Sequence, residues 1–337
     1  MNPVGVLRQI ALHLEREGAP TYRVRAFRRA ASVVEGLGRE ELERRVAEGR
    51  LTELSGIGKT TASVITDALA GREPAYLTEV AGSAENLPDG GELLAALRGD
   101  CHTHSDWSDG GSPIDEMAEA ARALGHEYVA LTDHSPRLTV ARGLSADRLR
   151  RQLDVVAELN AAYASEGTPF RVLTGIEVDI LDDGSLDQEP DLLAELDVVV
   201  ASVHSHLRMD SRHMTERMVA AVSNPDVDVL GHCTGRLVTG KGRPESEFDA
   251  DAVFEACREH GVAVEINSRP ERLDPPRRLL RRARELGCRF AVDTDAHAPG
   301  QLGWQPYGCA RALECGVEAG DVVNTLSADR LLEWARG

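Results

Sequence analysis

GDCHTHSDWSDGG, residues 99–111, sets two imidazoles two residues apart and then brings in two carboxylates. It does so where a strand-like run gives way to a loop. A strand alternates its side chains, so His102 and His104 share one side while Cys101 and Thr103 take the other. With Asp106 and Asp109 following, the stretch has the donor types of a metal chelate. It is also compatible with an ordinary polar strand end, and the rest of the chain decides between the two.

From residue 97 onward, seven short apolar, β-branched runs appear in order: LRGDCHTHS, YVALTDHS, RVLTGIEVDI, VVVASVHS, VDVLGHCTG, VAVEINS and FAVDTDAH. Helical stretches such as SPIDEMAEAARALGH and DADAVFEACREHG separate most of them. Alternating strands and helices, with continuous apolar strands, predict a parallel sheet. Seven such units fit a barrel-like α/β architecture, with an open doubly wound sheet as the other arrangement. The runs end on His102 and His104, His134, Glu177, His204, His232, and Asp295 with His297. In an α/β barrel the C-terminal strand ends share one face, so these groups converge there. Imidazoles mixed with carboxylates suit Zn²⁺, Mn²⁺ or Fe²⁺. Without a cation their burial would cost about several kcal/mol each, so the set is read as a metal cluster.

The chain has 337 residues, 42% of them hydrophobic, and no apolar run long enough to span a membrane. Its N-terminus reads as an amphipathic helix rather than a signal peptide, and the six cysteines include no CxxC pair. Reduced, buried thiols and a cytoplasmic location are expected. A net charge of −18 excludes a protein that simply coats nucleic acid. Residues 1–90, however, are nearly balanced, with 12 basic and 13 acidic side chains.

Residues 1–80 read as a helical domain, opened by Leu7, Ile10, Ala11 and Leu14 at helical spacing. In LSGIGKT the end of a P-loop is present, but the required upstream glycine is Glu53 and no strand precedes it. The L-x-G-I-G spacing between two short helices instead resembles a helix-hairpin-helix. There Gly56 and Gly58 let backbone N–H groups at a helix start approach a DNA phosphate, with Lys59 beside them. Residues 81–96, with proline and paired glycines, read as a linker to a second domain at 97–337.

The pattern HxH…D…H…E…H…H…DxH resembles the polymerase-and-histidinol-phosphatase (PHP) family of metal-dependent phosphoesterases. More narrowly, TDHS, GIEVDILDDGSLD, NPDVDVLGHCTGR, EINSRPERLD and TDAH resemble the PHP domain of bacterial family X DNA polymerases. The resemblance implies a distorted, TIM-like (β/α)7 barrel preceded by a small all-α helix-hairpin-helix domain. It implies two to three divalent ions (Zn, Mn or Fe). One ion would take His102, His104, Glu177 and Asp295. A second would share Glu177 and take His204 and His232, and a third would take Asp109, His134 and His297. The chemistry expected is hydrolysis of a phosphoester by a metal-bridging hydroxide. Asp133, Asp179 and Glu265 are candidates to hold the ligand imidazoles from behind, and Asp293 is a further one. Arg142, Arg236, Arg269 and Arg272 are candidates to grip substrate phosphate. His206 reads as loop or substrate rim, and His13, His126, His213 and His260 as surface.

YRVRAFRRAASVV likewise resembles the N-terminal 8-kDa domain of those polymerases, with Arg25, Arg28 and Arg29 in a basic patch. Some members carry a Schiff-base lysine just after the hairpin; here ALAGREP has Arg72 instead, which stays protonated and cannot form an imine. No polymerase core fits between the two parts. The function expected is therefore a DNA phosphoesterase, either a 3′–5′ exonuclease or a 3′-end-processing repair nuclease acting on single strands or 3′ ends. The alternatives are a histidinol-phosphatase-type enzyme for small molecules and a non-catalytic DNA-binding protein.

Overall fold

The apolar runs form seven parallel strands: β1 (Gly99–Thr103), β2 (Tyr128–Leu131), β3 (Arg171–Asp179), β4 (Val198–Ser202), β5 (Val229–Leu230), β6 (Ala263–Asn267) and β7 (Phe290–Asp293). In this computed structural model, which describes residues 1–82 and 87–336, they pair in sequential order from β1 to β7. The chain divides into two units, Met1–Leu87 and Pro88–Gly337.

In the first unit, α1 (Pro3–Arg16), α2 (Thr21–Glu35), α3 (Arg39–Ala47), α4 (Lys59–Leu69) and α5 (Ala75–Gly82) enclose one apolar core. The helical spacing noted in α1 buries Leu7, Ile10, Ala11 and Leu14 completely. They meet Phe27 and Ala30 from α2 and Ile65 and Ala68 from α4.

The second unit adds α6 (Gly91–Ala96), α7 (Ile114–Ala123), α8 (Ala146–Ser165), α9 (Pro190–Leu193), α10 (Ser211–Val222), α11 (Ala250–His260), α12 (Arg277–Glu285), α13 (Gln305–Glu314) and α14 (Ala328–Ala335). Period-2 alternation assigns the strand faces. On β4, Val199 and Ala201 join a large core with helix residues Met214, Met218 and Phe254. Val198 and Val200 join a smaller core with Tyr128, Ala130, Ala263 and Ala291, drawn from strands around the barrel. Cys101 packs in that smaller core, and all six cysteines are free and buried.

The barrel closes between β1 and β7 largely through side chains. Only Thr103 and Ala296 form a ladder bridge at the seam. Beside it, Cys101 N–H donates to Asp293 (2.8 Å) and the Thr294 hydroxyl donates to Asp100 (2.5 Å). Burial, and then the charge of Asp100, push the Asp293 carboxyl well above the carboxylate range. Asp293 therefore stitches the seam and holds no imidazole.

The linker expected at 81–96 is a shorter join. Its residues 83–86 lie outside the described residues, and Gly91–Ala96 is helical. Leu93 is fully buried in the large barrel core, which draws this segment into the second unit. His126 also departs from its expected surface position: it pairs with Gln305 (3.1 Å), and burial lowers its pKa to about 4. Replacing Leu93 with alanine empties a packed site and should destabilise the barrel by about 2–5 kcal/mol. A leftward shift of the urea midpoint measures this, and an unchanged midpoint would return 88–96 to the linker.

Candidate metal centre

Parallel strands deliver their C-terminal ends to one face, and there the predicted donors meet around the buried carboxylate of Glu177. His102 Nε2 lies 3.4 Å and His104 Nε2 3.6 Å from Glu177 Oε2, and His134 Nδ1 lies 2.8 Å from the same oxygen. The other oxygen faces His232 Nε2 at 2.8 Å and His204 Nε2 at 3.2 Å. Asp295 Oδ1 is 3.3 Å from His104 Nε2. Asp109 Oδ1 is 3.3 Å from His297 Nε2 and 3.5 Å from His134 Nε2.

Among the described residues, three groups have donor atoms close enough to hold an ion: His104 with Asp109, His134 and His297; His102 with His104 and Glu177; and His134 with Glu177 and His204. The structure thus gathers every position expected to ligate. It differs in letting His104 and His134 each face two groups.

Two observations test whether a cation fits. His102 Nε2, both nitrogens of His104, His204 Nε2 and Glu177 Oε2 are buried without a hydrogen-bond partner. Buried polar atoms seldom go unsatisfied. Here they point at one another, as ligands around an ion do. Charge gives the second test. Burial would raise the Glu177 carboxyl, but His204, His102 and His134 outweigh it and hold the group well below its usual range. Burial opposes charge on His204 too, yet Glu177 and Asp179 raise its pKa to about 9. His104, by contrast, is lowered by burial and by His297 and His134, so it stays neutral. The ionised carboxylates need positive charge, and divalent ions supply it without protonating the imidazoles.

Behind the donors stands a hydrogen-bonded frame. His102 Nδ1 donates to Glu265 (2.5 Å), which also accepts the His232 backbone N–H (2.5 Å). His204 Nδ1 donates to Asp179. Asp133 holds no imidazole; it accepts from Ser105 N–H (2.8 Å), the Ser108 hydroxyl (2.5 Å) and Gln152 (2.6 Å), fixing the loop that carries Asp109.

The frame also includes groups that the strand pattern did not single out. Asn267 donates to Glu265 (3.2 Å) and to Asp295 (3.3 Å); its only signal is its place two residues after Glu265 on β6. Asp274 accepts from the Thr234 hydroxyl at 2.7 Å and so anchors the loop after His232.

The four arginines part company. Arg269 and Arg272 line a cavity of 390 Å³ with Asp109, His134, His204, Asp295 and His297. Arg272 Nε sits 3.1 Å from Asp295. Arg142 and Arg236 instead turn their guanidinium groups onto backbone carbonyls, Arg142 onto Asp106 (2.9 Å) and Ser108, Arg236 onto Arg272 (3.1 Å) and Leu273. They brace loops rather than face the cavity. His206 is exposed and lies 2.8 Å from Asp182.

In the helical unit, Gly58 caps α4 and its N–H donates to Thr61 (2.9 Å), with Lys59 opening the helix. Gly56 has φ +102°, and a Cβ there would meet the Arg29 side chain at 2.7 Å. Arg29 packs on the hairpin and donates to Ser55 (3.2 Å). Arg28 pairs with the buried Glu15 at 2.7 Å, which takes it out of the basic patch. Arg25 is exposed.

A PHP domain model matches residues 100–269, and a helix-hairpin-helix domain model matches residues 2–73. The DNA polymerase/3′-5′ exonuclease PolX of Bacillus subtilis is 40% identical over 75% of this chain, which spans 44% of that protein. A probable phosphatase of Thermoanaerobacter sp. (strain X514) is 30% identical over 67% of this chain and 89% of its own length. A solved histidinol phosphate phosphatase from Lactococcus lactis aligns with a TM-score of 0.46 and 17% identity, over 66% of this chain and 95% of that one.

Outer-shell carboxylates typically govern metal affinity by about 10–100-fold. Glu265→Gln should therefore weaken metal binding by that factor, measured by competition with a chromogenic chelator. Unchanged affinity would remove Glu265 from the frame.

Proposed function

The chain belongs to the PHP-domain family of metal-dependent hydrolases, and from that premise we propose that it cleaves phosphodiesters at DNA 3′ ends. The observation that carries this reading is the set of buried, unpartnered imidazole nitrogens converging on Glu177. Such an arrangement costs stability unless cations occupy it, which speaks against a purely DNA-binding role.

His102, His104, Glu177 and Asp295 would hold one ion, Glu177 with His204 and His232 a second, and Asp109, His134 and His297 a third. Zinc, manganese and iron all suit this nitrogen and oxygen set. When bound, such ions supply Lewis-acid activation of water and of the phosphoryl group. The chain's own residues orient the reaction. Glu265 and Asp179 fix the ring orientations of His102 and His204. Arg269 and Arg272 present guanidinium groups to the cavity, where a phosphate would lie.

The helix-hairpin-helix match supports a DNA substrate. The N-terminus of α4, with Gly56, Gly58 and Lys59, would hold a backbone phosphate, and exposed Arg25 would add to the patch. Free, buried cysteines suit the reducing cytoplasm. A second reading, a phosphatase for small esters, is favoured by the relative named a probable phosphatase, most of whose length this chain covers.

The purified chain with Mn²⁺ should shorten 3′-labelled single-stranded DNA, while Glu177→Gln should not. Phosphate release from histidinol phosphate with untouched DNA would sink the nuclease reading and establish the second. Lys59→Ala should weaken DNA binding and flatten its log–log salt slope by about 0.7–0.9, the share of one phosphate contact. An unchanged slope in a titration from low to physiological salt would remove Lys59 from the interface.

A further inference from the structure

Two loops supply apolar walls to the metal cavity: Leu138 comes from the loop after β2, and Leu237 and Thr239 come from the loop after β5. Each loop also presents a valine to solvent, Val140 at 90% exposure and Val238 at 49%. Only a few large apolar side chains are this exposed among the described residues: Met1, Tyr22, Leu124, Val140, Val155 and Val238. Two of these six therefore lie on loops that line one cavity. A lone surface valine needs no explanation, but a pair flanking a catalytic cavity marks a contact surface.

Both loops are built to hold these tips still. In residues 135–144, Leu144 N–H donates to His134 (2.7 Å) and Gly143 N–H to Leu138 (3.3 Å). Gly143 lies so close to Ser135 that a Cβ would sit 1.8 Å from its carbonyl oxygen. Arg142 pins the same loop to the backbone of Asp106 and Ser108. Residues 237–243 form a short antiparallel hairpin bridged between Leu237 and Arg243. Val238 N–H ties it to Glu271 (2.7 Å), and Arg243 donates inward to Gly235 (2.6 Å). Its tip turns through Gly240 and Gly242, both at positive φ, and carries exposed Lys241 between them. Lys241 is one of only two lysines in the chain, and among the described residues no carboxylate pairs with it. The acidic member of the cavity wall, Glu271, faces Arg269 at 3.5 Å.

We propose that these two loops form a nucleobase clamp at the mouth of the metal cavity, with Lys241 holding an adjoining backbone phosphate. The inference rests on the DNA reading above and gives the site its preference for a polynucleotide. A flat, apolar base face suits valine and leucine side chains, and a single cation beside it suits a phosphate. A small phosphate ester would end inside the cavity and reach neither tip.

The test compares the full chain with Val140→Ser/Val238→Ser and Lys241→Gln variants in Mn²⁺. The substrates are a single-stranded oligonucleotide, the same oligonucleotide abasic at its last two positions, and p-nitrophenyl phosphate. The double valine variant should raise KM for the intact oligonucleotide by about five- to tenfold, the scale of a lost base contact. It should make no difference on the abasic one. Lys241→Gln should flatten the salt dependence of KM on both oligonucleotides by about 0.7 in log–log slope. Hydrolysis of p-nitrophenyl phosphate, which also reports intact folding, should match the parent throughout. Equal losses on all substrates, or no loss on any, would overturn the clamp while leaving a DNA nuclease in place. A parent chain that hydrolyses p-nitrophenyl phosphate but cuts neither oligonucleotide would overturn both readings.

Discussion

One buried carboxylate organises the second unit. Glu177 sits at the centre of the barrel mouth with five imidazoles, those of His102, His104, His134, His204 and His232, within 3.6 Å. An ionised carboxylate in that position is costly unless matched by positive charge. In the bare protein the match comes from imidazoles drawn toward protonation, as at His204 and His102. Those nitrogens are the ones a cation needs unprotonated, so metal and protons compete for the same places. The site is poised to exchange one form of charge for the other.

The scaffold makes that convergence possible by dividing the labour among its polar groups. Donors stand at the strand ends, and a second set of buried carboxylates holds the loops that carry them. Glu265 binds both the His102 ring and the His232 backbone. Asp133 fixes the turn before Asp109, and Asp274 fixes the turn after His232. Asp100 and Asp293 do the same for the β1–β7 seam directly beneath the HxH pair. A parallel barrel with two-residue β5 has few ladder bonds to spare, and these side chains supply the missing rigidity.

What the sequence made legible follows from period and position. Continuous apolar runs ending in imidazole or carboxylate mark strands, and parallel strands put those ends on one face. The ligands were readable because each is fixed by its own strand. Groups whose partners lie far along the chain were not. Cys101 meets Asp293 across 192 residues, and no local pattern announces such a pairing. The arginines show the same limit. A guanidinium after a strand can face a cavity, as Arg272 does, or fold back on a carbonyl, as Arg236 does. Loop geometry, not residue type, decides between them. Leu93 marks the limit on the apolar side: a lone leucine among glycines looks like linker until a packed core is found to receive it.

The acidity of the chain bears on how it could meet a polyanion at all. A net charge of −18 repels DNA at long range, but at physiological salt that repulsion fades beyond about 8 Å. Close contact then depends on local charge. Much of the barrel's acid is already committed, either buried around the imidazoles or paired on the surface, as Asp251 is with Arg282 and Glu314 with Arg277. The cations left facing solvent are few: Arg25 and Lys59 on the helical unit and Lys241 on the barrel. A protein built this way cannot hold DNA by indiscriminate attraction. Binding must come from backbone amides, a few placed cations and the metal cavity acting together, which favours a strand presented at the cavity over duplex lying anywhere on the surface.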